Sequence, residues 1–229
     1  MTSKSDLGFA MTEKIAWLRG AGRLVLLLPL LWATVFASAP APALAQESGP
    51  VGLVVQKTGP VTVLRVAGAA ALQVGDPVFQ ADQLLTGPKS KVKIELLDGS
   101  LLALGADSEV AVSEYLLDPA GKRRGGLLDL LRGILRATVA PDSGGAFDIR
   151  TRIAVASTRA TDWIVELTEE HVSVFVAEGQ VEVTAYQTGT GVLLEPGFGT
   201  DVPEGRGPGQ PKEWGQARVD EALARTSLP

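Results

Sequence analysis

The side chains with the chemistry for catalysis or metal binding are few and scattered. His171 is the only histidine, and it directly follows Glu169-Glu170. A carboxylate beside an imidazole can make an oriented general base, but that chemistry also needs a nucleophile and a further orienting group. None stands out, and the three residues are read as a polar hairpin tip. Asp76, Asp82, Asp98 and Asp107 carry the oxygens that calcium takes, yet their spacing follows no loop pattern and each sits where Asp favours a turn. The chain has no cysteine, which removes disulfides, thiolate nucleophiles and Cys-ligated zinc or iron–sulfur centres. A carboxylate-based hydrolase is the least favoured class, because no Asp or Glu pair lies beside an aromatic cleft. The sequence therefore implies no catalytic residue, no metal and no cofactor.

Three polar groups remain as contact candidates. Lys89, Lys91 and Lys93 alternate in Lys89-Ser90-Lys91-Val92-Lys93, which places three ammonium groups on one face of a strand. That face suits an anionic glycan or an acidic partner; the preferred reading is a solvated face that guards an edge strand from aggregation. Lys122-Arg123-Arg124 lies between Gly121 and Gly125-Gly126 and reads as a solvated loop tip. Arg159, Thr161 and Asp162 fall between two apolar runs, where polar side chains are costly unless paired. They are read as a hydrogen-bonded cluster locking a sheet corner, the alternative being a ligand or peptide contact at the same place.

The elements that would position these residues are strands. Val92-Lys93-Ile94-Glu95-Leu96, Val172-Ser173-Val174 and Val181-Glu182-Val183 alternate apolar with polar, the period of a half-buried strand. Asp98-Gly99 between two apolar runs signals a hairpin with positive φ angles, and Glu169-Glu170 turns a second one. Gly59, Gly133 and Gly179 each stand two residues before an alternating strand, as though glycine turned the sheet corners. Residues 127–131 fit helix or buried strand, with strand preferred because of their glycine flanks. Residues 205–210 read as a loop and 211–227 as one short helix, with Pro211 in its first turn, a Glu221–Arg225 pair at i, i+4 and Trp214 as its anchor onto the sheet. The predicted fold is all-β: one twisted, solenoid-like or sandwich-like domain of short, mostly antiparallel strands over residues 46–204, then a loop and helix over 205–229.

Residues 24–37 are almost wholly apolar, follow a weakly basic lead and precede Ala43-Leu44-Ala45. This is the layout of a secretory signal peptide over residues 1–45 cleaved after Ala45, whether translation starts at Met1 or Met11. The run is shorter than the roughly 20 residues that span a bilayer, so membrane contact is expected only if the segment stays uncleaved. The formal charge is −5 for the chain and −7 after cleavage, where nucleic-acid binding needs a basic face. Aromatics make up 5%, a thin supply for stacking on sugars or bases. The expected location is the periplasm.

Several motifs in order carry a family resemblance. Leu72-Gln73-Val74-Gly75-Asp76-Pro77-Val78-Phe79 leads to Asp82-Gln83-Leu84-Leu85-Thr86-Gly87 and to the hairpin around Asp98-Gly99-Ser100. Phe147-Asp148-Ile149-Arg150-Thr151 then precedes Ala154-Val155-Ala156-Ser157-Thr158-Arg159-Ala160-Thr161-Asp162-Trp163, and Leu194-Glu195-Pro196-Gly197 closes the series. Over residues 51–202 the chain resembles a FecR domain. The resemblance implies a twisted, solenoid-like periplasmic β module without catalytic activity, whose best-known members are transmembrane anti-sigma regulators. It also implies departures. Too few residues precede the apolar run for a cytoplasmic domain, only 27 follow residue 202, and the family's Arg-Gly-Thr reads Arg159-Ala160-Thr161. The expectation is a stand-alone, non-enzymatic protein-binding, scaffold or signalling-associated module of the bacterial envelope. Its partner is another envelope protein met at an exposed sheet edge, with peptidoglycan or polysaccharide binding through the lysine face as the alternative.

If the Arg159–Asp162 segment is an internal cluster, Arg159→Ala lowers the unfolding free energy by about 1–3 kcal/mol, the cost of leaving a buried partner unpaired. Chemical denaturation checks this, and an unshifted midpoint at unchanged slope contradicts it.

Overall fold

Alternating Val, Ile and Leu put one face of each strand toward a common core, and the chain builds that core from two layers. A computed structural model describes residues 49–228; the expected signal peptide and its cleavage site lie outside the described residues. The strands are β1 (Pro50–Thr58), β2 (Val61–Arg65), β3 (Gly68–Ala71), β4 (Pro77–Phe79), β5 (Gln83–Thr86), β6 (Lys91–Leu96), β7 (Leu101–Leu104), β8 (Glu109–Leu117) and β9 (Arg123–Thr138). They continue as β10 (Phe147–Arg150), β11 (Ala154–Thr158), β12 (Asp162–Leu167), β13 (His171–Glu178), β14 (Val181–Ala185), β15 (Gly191–Leu194), β16 (Phe198–Pro203) and β17 (Lys212–Glu213), before one helix, α1 (Gln216–Thr226). The fold is all-β with a short C-terminal helix, as its sequence implies.

One layer has the order β4-β1-β6-β7-β9-β12-β13-β16-β17. The other has β3-β2-β5-β8-β9-β10-β11-β14-β15. Every pairing is antiparallel except β9 with β10. The sheet does not close, so both layers keep free edges. The 16-residue β9 belongs to both, pairing through Asp129 with β8 and β10 and through Leu135 with β7 and β12. Residues 127–131 are thus strand, and the helical alternative fails because Leu128 and Leu130 are needed side by side in the core.

Glycine turns the corners between layers, by a mechanism the sequence echo only hinted at. Gly133 bends β9 from one layer into the other at φ +83°, and a Cβ there would lie 2.4 Å from Ser108 Oγ and 2.6 Å from Ser108 Cα. Ser108 itself turns the neighbouring corner between β7 and β8, and its hydroxyl accepts from the Ile134 N–H at 3.0 Å. Gly59 stacks on Ser90, and Gly179 on Ala160 and Thr161, in the same way. At Gly59, Gly133 and Gly179 a left-handed glycine is thus pressed onto a residue of the neighbouring corner, with Ser or Thr hydroxyls satisfying backbone exposed there.

Two further expectations are modified. The β6–β7 hairpin forms, but only Gly99 has a positive φ (+81°); Gly99 N–H bonds Leu96 O and Leu96 N–H bonds Ser100 O, a three-residue loop ending in a left-handed glycine. The helix starts at Gln216, not Pro211, because Lys212 and Glu213 first extend the sheet as β17. Trp214 anchors the segment by stacking on Phe175 at 4.9 Å. Arg225 pairs with Glu166 of β12 at 2.7 Å rather than with Glu221. The apolar stripe of α1 covers Ile134, Ile164 and Phe175 on the outer face of its layer, so β13 is buried on both faces from Val172 to Val176.

Gly133→Ala should lower stability by roughly 3 kcal/mol, combining the left-handed φ penalty with a clash against fixed backbone. Gly189→Ala, also at positive φ but with open space around it, should cost only about 1 kcal/mol. Equal costs in denaturant unfolding would contradict the stacked-corner account.

Candidate functional site

The corner between β11 and β12 holds the three polar residues that the sequence singles out, and it divides them. Thr161 is buried; its hydroxyl bonds that of Thr158 and the carbonyl of Gln180 at 3.2 Å. Asp162 forms a two-point ion pair with Arg136 of β9, at 2.8 Å to Nε and 2.5 Å to Nη2. The Asp162 hydrogen bond comes first among the influences that hold the Arg136 guanidinium above its ordinary pKa. Both side chains are engaged within the sheet. Arg159 is not part of the cluster: it is exposed, and its side chain has no hydrogen-bond or ion-pair partner among the described residues. The expectation of one internal cluster is corrected at that position, because the chain turns at 159–160 and directs the guanidinium outward.

The lysines do not form one free face. Lys91 and Lys93 point outward from β6, while Lys89 precedes the strand in a left-handed turn at φ +56°. Since β6 lies between β1 and β7, it is no edge strand and needs no guarding. Lys91 donates to Ala224 O at 2.5 Å and Ser227 O at 2.9 Å, satisfying carbonyls at the end of α1. Lys93 borders a crevice beside Ser227 and Leu228. Only Lys89 is fully exposed.

Arg123, taken from the sequence as one of a solvated trio, is the largest correction. It is 2% exposed and pairs with Asp98, whose side chain is likewise wholly buried. Nη2 also donates to Gly145 O at 2.9 Å and Arg159 O at 3.3 Å, and the guanidinium lies 5.0 Å from the Phe147 ring centroid. Tyr115 completes the pocket, its phenol pushed above its ordinary pKa by burial first and by the Asp98 carboxylate second. Lys122 and Arg124 are exposed as expected. The signal for Arg123 was available: successive residues of a strand face opposite ways, so Arg123 and Arg124 at the start of β9 cannot share one solvated face.

The corner borders open surface. Arg159, Glu182 and Leu193 border a shallow depression of about 510 Å³, and a second of about 650 Å³ continues along β14 and β15 past Glu182, Leu193 and Gly191. Beside them, β15 is an edge, pairing with β14 alone among the described residues. Ala185 N–H bonds Thr190 O, so by antiparallel alternation Val192 and Leu194 bond inward to β14, while the backbone groups of Gly191 and Leu193 face outward. Leu193 is 54% exposed. His171 is a hairpin-tip residue bonded to Thr168 at 3.1 Å, and no group of three metal-ligating residues occurs among the described residues. Asp82 bonds Arg65 and Asp98 bonds Arg123, so neither is available as part of a calcium set.

Comparison with known proteins points to one family. The model of the FecR protein family matches residues 82–182. Over that segment the chain is similar to a FecR domain. The match begins at Asp82, on the second of the motifs read from the sequence, and ends within β14; the segment 72–79 and the closing turn at 194–197 lie outside it. No curated protein matches the chain. Two crystal structures of a "putative anti-sigma factor" from Parabacteroides distasonis are similar to this chain in fold, with 21% and 22% identity and a TM-score of 0.52 each. Each alignment covers 62% of this chain and 64% or 63% of the other, less than two thirds of those proteins. No helix among the described residues is long and apolar enough to cross a membrane.

Two substitutions test this assignment of roles. Asp98→Ala leaves Arg123 buried without a counter-charge and should cost about 3–5 kcal/mol, of which the double variant Asp98→Ala/Arg123→Met regains a part. Arg159→Ala should now stay within about ±0.5 kcal/mol of the parent. Denaturant midpoints for the three proteins give the comparison, and a large loss at Arg159 would return it to the interior.

Proposed function

We propose that the chain is a non-enzymatic, protein-binding module of the bacterial cell envelope, exported to the periplasm and associated with signalling. The observation that carries this reading is the FecR match over residues 82–182. The anti-sigma description attached to the structural neighbours agrees with a role in signalling. The apolar run and small-residue site ahead of Gln46 support export. Binding falls to the sheet edges, since an extended segment of another protein can add to an unpaired strand by main-chain hydrogen bonds. The glycan alternative has no comparable support, as Lys91 is engaged by the end of α1.

Chemical cross-linking in intact cells that express the tagged full chain, followed by mass spectrometry, tests the reading. The expected result is one envelope protein recovered in repeated preparations and missing from an untagged control. Repeated recovery of no protein, or retention on purified peptidoglycan instead, would contradict it.

A further inference from the structure

Of the free edges, β15 is distinguished by what lies beside it. The other edge of its layer, β3, is Gly-Ala-Ala-Ala and offers no side chain beyond a methyl. In the second layer, β4 is three residues long and opens with Pro77, while β17 is two residues long and runs into the stacked Trp214. Among the described edges, β15 is the one that combines an outward-facing main chain with a recess beside it. The recess has a definite order. Arg159 stands at one end, where β11 finishes and β14 begins; Glu182 and Leu193, directly opposite each other across β14 and β15, occupy the middle; Gly191 lies toward the far end.

The charges fix which segment fits. Arg159 is an exposed guanidinium without an acidic partner among the described residues, so a carboxylate placed there meets no competitor. Glu182 lies beside Leu193, so an acidic side chain at mid-segment would be repelled, whereas an apolar or hydroxyl side chain would cover Leu193. We propose that β15 receives an extended segment of a partner protein as an added strand, with an acidic side chain on Arg159 at one end and uncharged residues over Leu193. This rests on the protein-binding reading above and specifies its site and the chemistry of the partner.

The test uses fluorescein-labelled ten-residue peptides of alternating Thr and Val, with Glu at either the first or the last position to cover both strand directions, and their Lys counterparts. Anisotropy is read against the protein purified from the envelope fraction. One Glu peptide should bind roughly fivefold more tightly than its Lys counterpart, the range of an exposed ion pair, and Arg159→Glu should invert that order. The same Glu peptide methylated on alternate backbone nitrogens should lose binding in one of its two methylation phases, which probes main-chain pairing without altering the protein. No binding by any peptide, a preference unchanged in Arg159→Glu, or full binding by both methylated forms would overturn the proposal. So would a stable dimer in sedimentation that excludes the peptides, since the edge would then belong to a second copy. If Arg159→Glu still recovers the cross-linked envelope protein as the parent does, this site is wrong while the protein-binding reading stands; if the parent recovers none, it is that reading that fails.

Discussion

A single buried cation ties the two halves of this sheet together. Arg123 opens β9, the strand shared by both layers, and its guanidinium is enclosed by the β6–β7 hairpin on one side and the 144–145 loop and β11–β12 corner on the other. Burying a charge costs several kcal/mol unless it is paired and its remaining donors are met. Here Asp98 supplies the counter-charge, the carbonyls of Gly145 and Arg159 take further N–H groups, and Phe147 provides a ring face. The same guanidinium reaches the corner that carries Arg159: it takes that residue's carbonyl from inside, while the Arg159 side chain is exposed outside.

The corners follow a related logic. A two-layer winding must turn its backbone repeatedly without leaving buried N–H and C=O groups unpaired. This chain stacks the left-handed Gly59, Gly133 and Gly179 onto neighbouring corners and lets Thr86, Ser90, Ser108, Thr158 and Thr161 lie among the turned backbone. These residues are small, polar and nearly all buried, because bulk would separate the corners and an apolar side chain would leave the turning backbone unsatisfied. Stability thus comes from apolar faces along the strands and hydroxyls at their ends, leaving β15 free of any structural duty on its outer side.

Much of this was legible in the residues. Period-two alternation located the strands, Asp98-Gly99 and Glu169-Glu170 marked two hairpins, and the repeated glycine offset marked the corners. What escaped was whatever depends on which strand lies beside which. Lys89–Lys93 looked like a free basic face because nothing local announces that α1 will end against Lys91. Lys122-Arg123-Arg124 looked solvated because its acidic partner lies 25 residues away, at a hairpin tip that already had a local explanation for its Asp. Arg159, Thr161 and Asp162 looked like one cluster because they are contiguous, whereas a turn at 159–160 sends Arg159 outward and the other two into the sheet. The edge at β15 had no local signature at all: Gly-Val-Leu-Leu reads the same whether a strand lies beyond it or not.

Binding by strand addition requires that β15 be unpaired in the isolated protein, and amide hydrogen exchange tests this residue by residue. The account predicts that the amides of Val192 and Leu194, which bond inward to β14, exchange slowly, while those of Gly191 and Leu193 exchange at rates near those of a solvated chain. Slow exchange at Leu193, matching Val192, in the isolated monomer would show that the edge is already satisfied, and would contradict the account.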